Sequence, residues 1–263
     1  MQFGLNNDKQ IYVQMVKWVE HNILLGVFKE NEPIPSVADI SVKYKINPVI
    51  IKKGISVLID KGIISCDLIV LNGTVNKLKM IEQKMNDVVF LDTETTGLNA
   101  DVDEILQISI VNNNGDILLD SYIRPERNAE WKAAEEINHI SYDMVKDAPL
   151  ASDIAPRIFE IIANAKVVIA YNISFDWDFI LRILKNNGYN VDEQVPELKC
   201  CMKKFAEEYG EWNEEKQCYR WQKLSKAAEY YNIEWQGAAH GSLADTLMCR
   251  DLWNKMNEKR SEI

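Results

Sequence analysis

Four apolar residues, Val88-Val89-Phe90-Leu91, run straight into Asp92-Thr93-Glu94-Thr95-Thr96-Gly97-Leu98. A short apolar run of this kind reads as a buried strand. Residues i and i+2 of a strand share a face, so Asp92 and Glu94 present two carboxylates side by side. Adjacent anions repel unless a divalent cation neutralises them. In a chain with 40 Asp+Glu a lone Asp-x-Glu arises by chance. At the end of an apolar strand, followed by a Thr-Thr-Gly turn that can expose backbone N–H groups, it constrains the fold far more.

The flanking segments supply the rest of an α/β plan. Residues 104–111 and 116–123 alternate or run apolar about Asn112-Asn113-Asn114-Gly115, an antiparallel hairpin signal with Asn-Gly at the turn. Helical patterns over residues 128–137, 141–146 and 152–163 follow, then a second buried strand over 165–170. Strands and helices in this order predict a mixed sheet covered by helices. Next comes Tyr171-Asn172-Ile173-Ser174-Phe175-Asp176, which places Asp176 in the first turn of a helix, where the dipole favours a carboxylate. Further on, Ala239-His240-Gly241-Ser242-Leu243-Ala244-Asp245 puts His240 on a loop and Asp245 in the first turn of a helix beginning near Ser242.

These three segments, in this order, resemble the exonuclease motifs of the DEDDh family, which includes the epsilon proofreading subunit of bacterial replicative polymerase, ribonuclease T and oligoribonuclease. The resemblance covers about residues 87–256. It implies a ribonuclease H-like fold, a five-stranded mixed sheet flanked by helices. Carried over by position, Asp92, Glu94, Asp176 and Asp245 are metal ligands for two Mg²⁺ or Mn²⁺ ions, and His240 is the general base. Thr95, Thr96, Gly97, Leu98, Asn172 and Phe175 hold the substrate end by the same resemblance. The chemistry suits these residue types: hard cations take oxygen ligands, and an imidazole with an ordinary pKa near 6.5 accepts a proton from water at neutral pH. The implied activity is 3′→5′ hydrolysis of DNA or RNA, releasing nucleoside 5′-monophosphates. Two departures stand out: Tyr171 where histidine is frequent, expected to alter stacking or substrate contact, and Gly241 where arginine is frequent. The segment Arg220-Trp221-Gln222-Lys223-Leu224 also resembles the family and predicts a structural helix over 221–230.

Charge divides the chain. Residues 1–86 hold eleven lysines, no arginine and eight carboxylates, a net of +3, whereas residues 87–263 hold 19 Lys+Arg against 32 Asp+Glu, a net of −13. Such asymmetry predicts two domains, over 1–73 and 87–263, joined by a helical linker over 74–86. In the first, a helical stripe over 10–28 is broken by two prolines, Ser36 with Asp39 forms a capping-box pattern, and Asn47-Pro48 opens a third helix ended by Gly62. Residues 63–65 and 67–71 then read as a small hairpin, giving a winged helix-turn-helix plan.

Residues 8–72 are similar to the GntR-type winged-helix domain of bacterial regulators, whose third helix contacts DNA. Lys52 and Lys53 match the usual basic pair, while Val49 and Ile50 stand where polar residues are usual, and Gly54 weakens the helix interior. Two readings stay open: weak nucleic-acid contact through Lys52 and Lys53, or a dimer or partner surface with the apolar first turn buried. A regulator with a nucleotide-sensing second domain, or an RNA-trimming enzyme, are the alternatives to a DNA exonuclease.

Five scattered cysteines without CxxC spacing predict reduced thiols. The longest apolar runs fall far short of the ~20 residues a membrane span requires. With no charged, apolar leader at Met1-Gln2-Phe3-Gly4, a cytoplasmic location and no membrane partner are expected. The expected partners are single-stranded or 3′-ended nucleic acid and a polymerase or other recruiting protein. Asp178 is expected to be solvated, His139 to lie in a loop, His21 to be exposed, and Trp177 and Trp212 to pack rather than stack on bases.

Overall fold

Two helices in the first third of the chain begin at side-chain caps. The computed structural model describes residues 10–190, 195–236 and 241–261. The chain divides into two compact units, one up to Lys84 and one from Met85. In the first, α1 spans Ile11–Leu24, α2 Val37–Tyr44 and α3 Pro48–Asp60. Ser36 and Asp39 form the reciprocal capping box of α2. The Asn47 side chain accepts from the Val49 amide at 2.9 Å, with Pro48 opening α3. The hairpin expected over 63–71 is reduced to isolated antiparallel bridges, Ile64 with Val70 and Pro33 with Ile69.

The core of this unit joins Met15, Val19 and Ile23 to Ile51, Ile55 and Leu58 and to Ile63, Ile64 and Val70. α4, Thr74–Asn86, is more than a connector, because its Leu78 is buried in that same core. Gly54 has a packing reason. A Cβ there would lie 2.8 Å from the Met15 Cε and 3.3 Å from the Tyr12 carbonyl oxygen, so α1 and α3 approach closely where the side chain is missing. Val49, in the first turn of α3, is 71% exposed. His21 is half-buried.

In the second unit one five-stranded sheet carries everything else. β1 (Val88–Thr95), β2 (Ile105–Asn112) and β3 (Ile117–Tyr122) form an antiparallel meander. The short helices α5 (Lys132–Asn138) and α6 (Tyr142–Val145) follow, then α7 (Ala151–Asn164), β4 (Val167–Ala170), α8 (Ile173–Asn186), β5 (Glu197–Cys200) and α9 (Cys201–Tyr209). A separate ribbon, β6 (Trp212–Asn213) and β7 (Cys218–Tyr219), precedes α10 (Leu224–Tyr231) and α11 (Ser242–Ser261). The sheet order is β3-β2-β1-β4-β5, with β4 parallel to both β1 and β5. The mixed sheet expected from the sequence is thus present. The helix expected from residue 221 instead begins at Leu224, and the helix expected from 128 begins at Lys132.

The two-residue period of β1 sets the layers. Val89 and Leu91 pack with Ala155, Ile158, Ile180 and Leu184 of α7 and α8. Phe90 points the other way, into a cluster with Phe205 of α9, Ala227 of α10 and Cys249, Leu252 and Met256 of α11. Extending the alternation puts Asp92 and Glu94 on the α11 face and Thr93 on the α8 face.

The close approach at Gly54 predicts that Gly54→Val destabilises the first unit by about 1–3 kcal/mol through overpacking. Urea unfolding of the full chain should show its transition moving to lower denaturant. No loss of stability would mean that the helices separate freely.

Candidate active site

Three chain segments bring four carboxylates to one end of the sheet. Asp92 and Glu94 stand on β1, Asp176 in the first turn of α8 and Asp245 in the first turn of α11. Oxygens of Asp92, Glu94 and Asp245 lie within 4.8 Å of one another. Asp176 is buried, and its Oδ1 accepts from the Thr93 amide at 3.0 Å and the Thr93 hydroxyl at 2.8 Å. One strand thus offers carboxylates from one face and, between them, a threonine that fixes the fourth carboxylate from the other. α11 is tied to the same strand: the Ser242 hydroxyl donates to the Asp92 carbonyl at 2.8 Å, and the Thr246 hydroxyl donates to the Ser242 carbonyl at 2.7 Å.

The electrostatics of the site are those of an anion cage. Burial pushes the Asp92 carboxyl well above the usual carboxylate range, and the neighbouring charges of Asp176, Glu94 and Asp245 push it further. Glu94 is raised to about 8, by burial and then by Asp245 and Asp176. Asp176 is raised to about 7 by burial, against the opposing pull of its Thr93 hydrogen bonds. Without a counter-charge Asp92, Glu94 and Asp176 hold protons they would lose in water. All the donors are carboxylate oxygens, and the mutual repulsion is what a hard divalent cation relieves, so the site fits such an ion. His240 lies outside the described residues. Its neighbour Gly241 accepts the Asp245 amide at 3.1 Å, continuing the helical ladder at the start of α11.

The loop after β1 is held from beneath. The Thr95 hydroxyl donates to the Gly97 carbonyl at 2.6 Å, and the Thr96 hydroxyl accepts from the Glu104 amide at 2.9 Å. Asp103 accepts from the Asn99 amide at 2.9 Å and the Thr96 hydroxyl at 3.3 Å. Its carboxylate fills the space a Cβ at residue 97 would need, so a larger residue there would displace Asp103. Glu104 in turn accepts three successive amides, those of Glu126, Arg127 and Asn128, at 2.8–2.9 Å. The result is a rigid turn with Thr95 and Thr96 buried and Leu98 at its tip, 87% exposed. Asn138 adds a bond from its amide to the Thr95 carbonyl at 3.2 Å.

The remaining expected residues scatter. Asn172 stands half-buried at the residue before α8, and Phe175 packs against the core beside Phe179, ring centroids 5.1 Å apart. Lys52 and Lys53 are exposed on α3 of the first unit, where the Lys53 ammonium lies 4.0 Å from the centre of the Tyr12 ring. Asp178 and His139 are exposed, and Trp177 is buried in the core. Tyr171, just before Asn172, is tied into the fold. Its hydroxyl donates to the Gln222 carbonyl at 2.7 Å, and burial pushes the phenol far up, so it serves as a neutral structural tie. Thr93, Ser242, Asp103 and Glu104 were not singled out from sequence. For Thr93 the signal was available in its place between two same-face carboxylates.

Comparison with known proteins agrees with this geometry. The family described as Exonuclease, of the RNase T type, matches residues 89–252. An uncharacterized exonuclease, CP81, of Escherichia phage 186 is 34% identical over 170 residues, covering 62% of this chain and 84% of the phage protein. The DNA polymerase III epsilon subunit of Buchnera aphidicola is 36% identical over 102 residues, covering 35% of this chain and 43% of the subunit. Exonuclease I of E. coli, solved in complex with a dT13 oligonucleotide, superposes with a TM-score of 0.56 at 16% identity, over 66% of this chain and 42% of that one. The chain therefore spans about two fifths of exonuclease I, and that likeness shows the fold. With the family matching well over half of its length, the chain belongs to the exonuclease family, and residues 89–252 form a hydrolase domain of 3′→5′ exonuclease type.

Proposed function

We propose that the protein trims single-stranded or 3′-ended nucleic acid from its 3′ end, releasing nucleoside 5′-monophosphates. The carrying observation is the convergence of Asp92, Glu94 and Asp245 within 4.8 Å beside the Thr93-held Asp176. These four residues would hold two Mg²⁺ or Mn²⁺ ions. Divalent ions bound there would neutralise the phosphate, acidify a water and stabilise the leaving oxygen. His240 would take the proton of the attacking water on an imidazole nitrogen. The water oxygen bonds to phosphorus as the bond to the 3′ oxygen of the penultimate nucleotide breaks, and that oxygen takes a proton from solvent to become the new 3′-hydroxyl. Leu98, with the turn anchored by Asp103 and Glu104, would hold the terminal nucleotide, assisted by Asn172 and Phe175.

The first unit is best read as a winged-helix module. Its capped helices and the antiparallel bridge between Ile64 and Val70 support that reading. Lys52, Lys53 and the exposed Val49 give α3 a mixed basic and apolar surface, suited to weak nucleic-acid contact or to a dimer or partner. The net charge of −13 over residues 87–263 predicts a weak grip on long strands and low processivity unless a partner such as a polymerase recruits the enzyme. A cytoplasmic location fits; no helix among the described residues is long and apolar enough to cross a membrane.

With Mg²⁺, 5′-labelled single-stranded DNA or RNA should shorten stepwise, and chelation should stop it. Asp92→Ala should lower the rate at least about 10²-fold, and His240→Ala about 10²–10⁴-fold. Full-length substrate after prolonged incubation with the unaltered protein would overturn the reading. Rates on matched DNA and RNA strands decide the substrate.

Glu94 and Asp176, raised to about 8 and about 7, hold protons that the unfolded chain releases near pH 4. The folded state therefore binds more protons through the interval between, and the stability of the metal-free protein should fall as pH rises from about 5 to 8. Mg²⁺ should raise the melting temperature more at pH 8 than at pH 5.5. Asp92→Asn should raise the metal-free melting temperature at pH 8 by a few degrees, at roughly 2–4 °C per kcal/mol. A pH-independent Mg²⁺ effect in differential scanning calorimetry would contradict the anion-cage account.

A further inference from the structure

The ribbon between α9 and α10 exposes aromatic side chains that no core requires. α9 ends at Gly210, whose left-handed backbone (φ 80°) turns the chain out. Trp212 then pairs with Tyr219 and Asn213 with Cys218 in a two-stranded sheet apart from the main one. The Trp212 and Tyr219 rings meet edge to face at 5.1 Å and remain 43% and 37% exposed, and Trp221 is 62% exposed. An open groove of about 480 Å³ runs along the ribbon, lined by Asn213, Lys216, Cys218, Tyr219, Arg220 and Trp221. Its lining holds two aromatic rings and two cations, of which Arg220 is paired with Glu211, and Glu214 and Glu215 precede Lys216 on the same ribbon.

The ribbon is also fixed in place. Arg220 donates its amide to the Glu211 carbonyl at 2.8 Å and pairs its guanidinium with the Glu211 carboxylate at 3.4 Å. The Gln222 side chain donates to the same carboxylate and to the Arg220 carbonyl, each at 3.1 Å. The Gln222 carbonyl receives the Tyr171 hydroxyl, so the groove's trailing end is tied to the residue before Asn172, at the entry to the helix that carries Asp176.

We infer that this groove is a nucleic-acid subsite that holds a single-stranded stretch of the substrate 5′ of the nucleotide being removed. Aromatic faces exposed beside cations are the arrangement that grips single strands without reading sequence, since every base has a π-face and every linkage an anion. Lys216 supplies a cation outside the Arg220–Glu211 pair, and the exposed rings of Tyr219 and Trp221 supply faces that bases use and a bare phosphate does not. The inference rests on the exonuclease reading for its direction along the strand. The binding itself does not depend on cleavage.

Two measurements separate the two claims. Binding is read as fluorescence anisotropy of labelled dT20 and U20 in chelator, so no cleavage intervenes. Cleavage is read as kcat/KM on 20-nucleotide against 4-nucleotide strands in Mg²⁺. Trp221→Ala should weaken binding of the 20-mers about tenfold and lower the long-over-short kcat/KM ratio by a similar factor. Trp221→Phe should recover most of both. Lys216→Ala should weaken binding and flatten its salt dependence. Unchanged affinity and an unchanged length ratio in Trp221→Ala and Lys216→Ala, with circular dichroism showing them folded, would overturn the subsite even if the enzyme cleaves well. Weakened binding in the variants of a protein that never shortens a strand would uphold the groove and overturn the exonuclease reading instead.

Discussion

Mutual repulsion among four clustered carboxylates, Asp176 buried and the other three half-buried, is the constraint to which the second unit is built. Such a cluster destabilises a fold unless its geometry is imposed from outside. Here the imposition comes from a packed sheet. Phe90 and Leu91, both fully buried, fix β1 on its two faces immediately before Asp92. Thr93 uses its amide and its hydroxyl on Asp176, and Ser242 binds the first turn of α11 to the Asp92 carbonyl. The carboxylates are therefore held together by the hydrophobic layers behind them, and a bound cation completes an arrangement that already exists.

The turn after β1 follows the same logic with neutral partners. Asp103 occupies the space that glycine leaves at residue 97, and Glu104 satisfies three consecutive amides. Both are acidic residues close to an acidic site, yet they act as acceptors for backbone N–H groups and so stiffen the platform beneath Leu98. An acidic composition alone cannot separate these carboxylates from metal-binding ones. Their hydrogen-bond partners can.

Much of this was legible in the sequence, where a short-range physical rule sets the outcome. The two-residue period placed Asp92 and Glu94 on one face, capping chemistry placed α2 and α3, and Asn-Gly placed the turn between β2 and β3. The α/β class and the positions of Asp176 and Asp245 followed from the same rules. What escaped depended on distant partners. Gly54 looked like a weak point in α3 until Met15 and Tyr12 of α1 stood against it. Tyr171 reads locally as a change in stacking or substrate contact, and the bond from its hydroxyl to Gln222, far along the chain, is not legible there. β5 and the β6–β7 ribbon are four and two residues per strand, too short for alternation to register.

The bond between Ser242 and the Asp92 carbonyl joins positions 150 residues apart. Asp245, on the same helix, is among the last parts of this unit to leave a ribosome, because β1, β4 and α8 all precede it. A partly synthesised chain can lay down most of the sheet and still lack one wall of the cage. The carboxylate cluster is thus completed late: until α11 docks, a growing chain carries Asp92, Glu94 and Asp176 without Asp245 beside them.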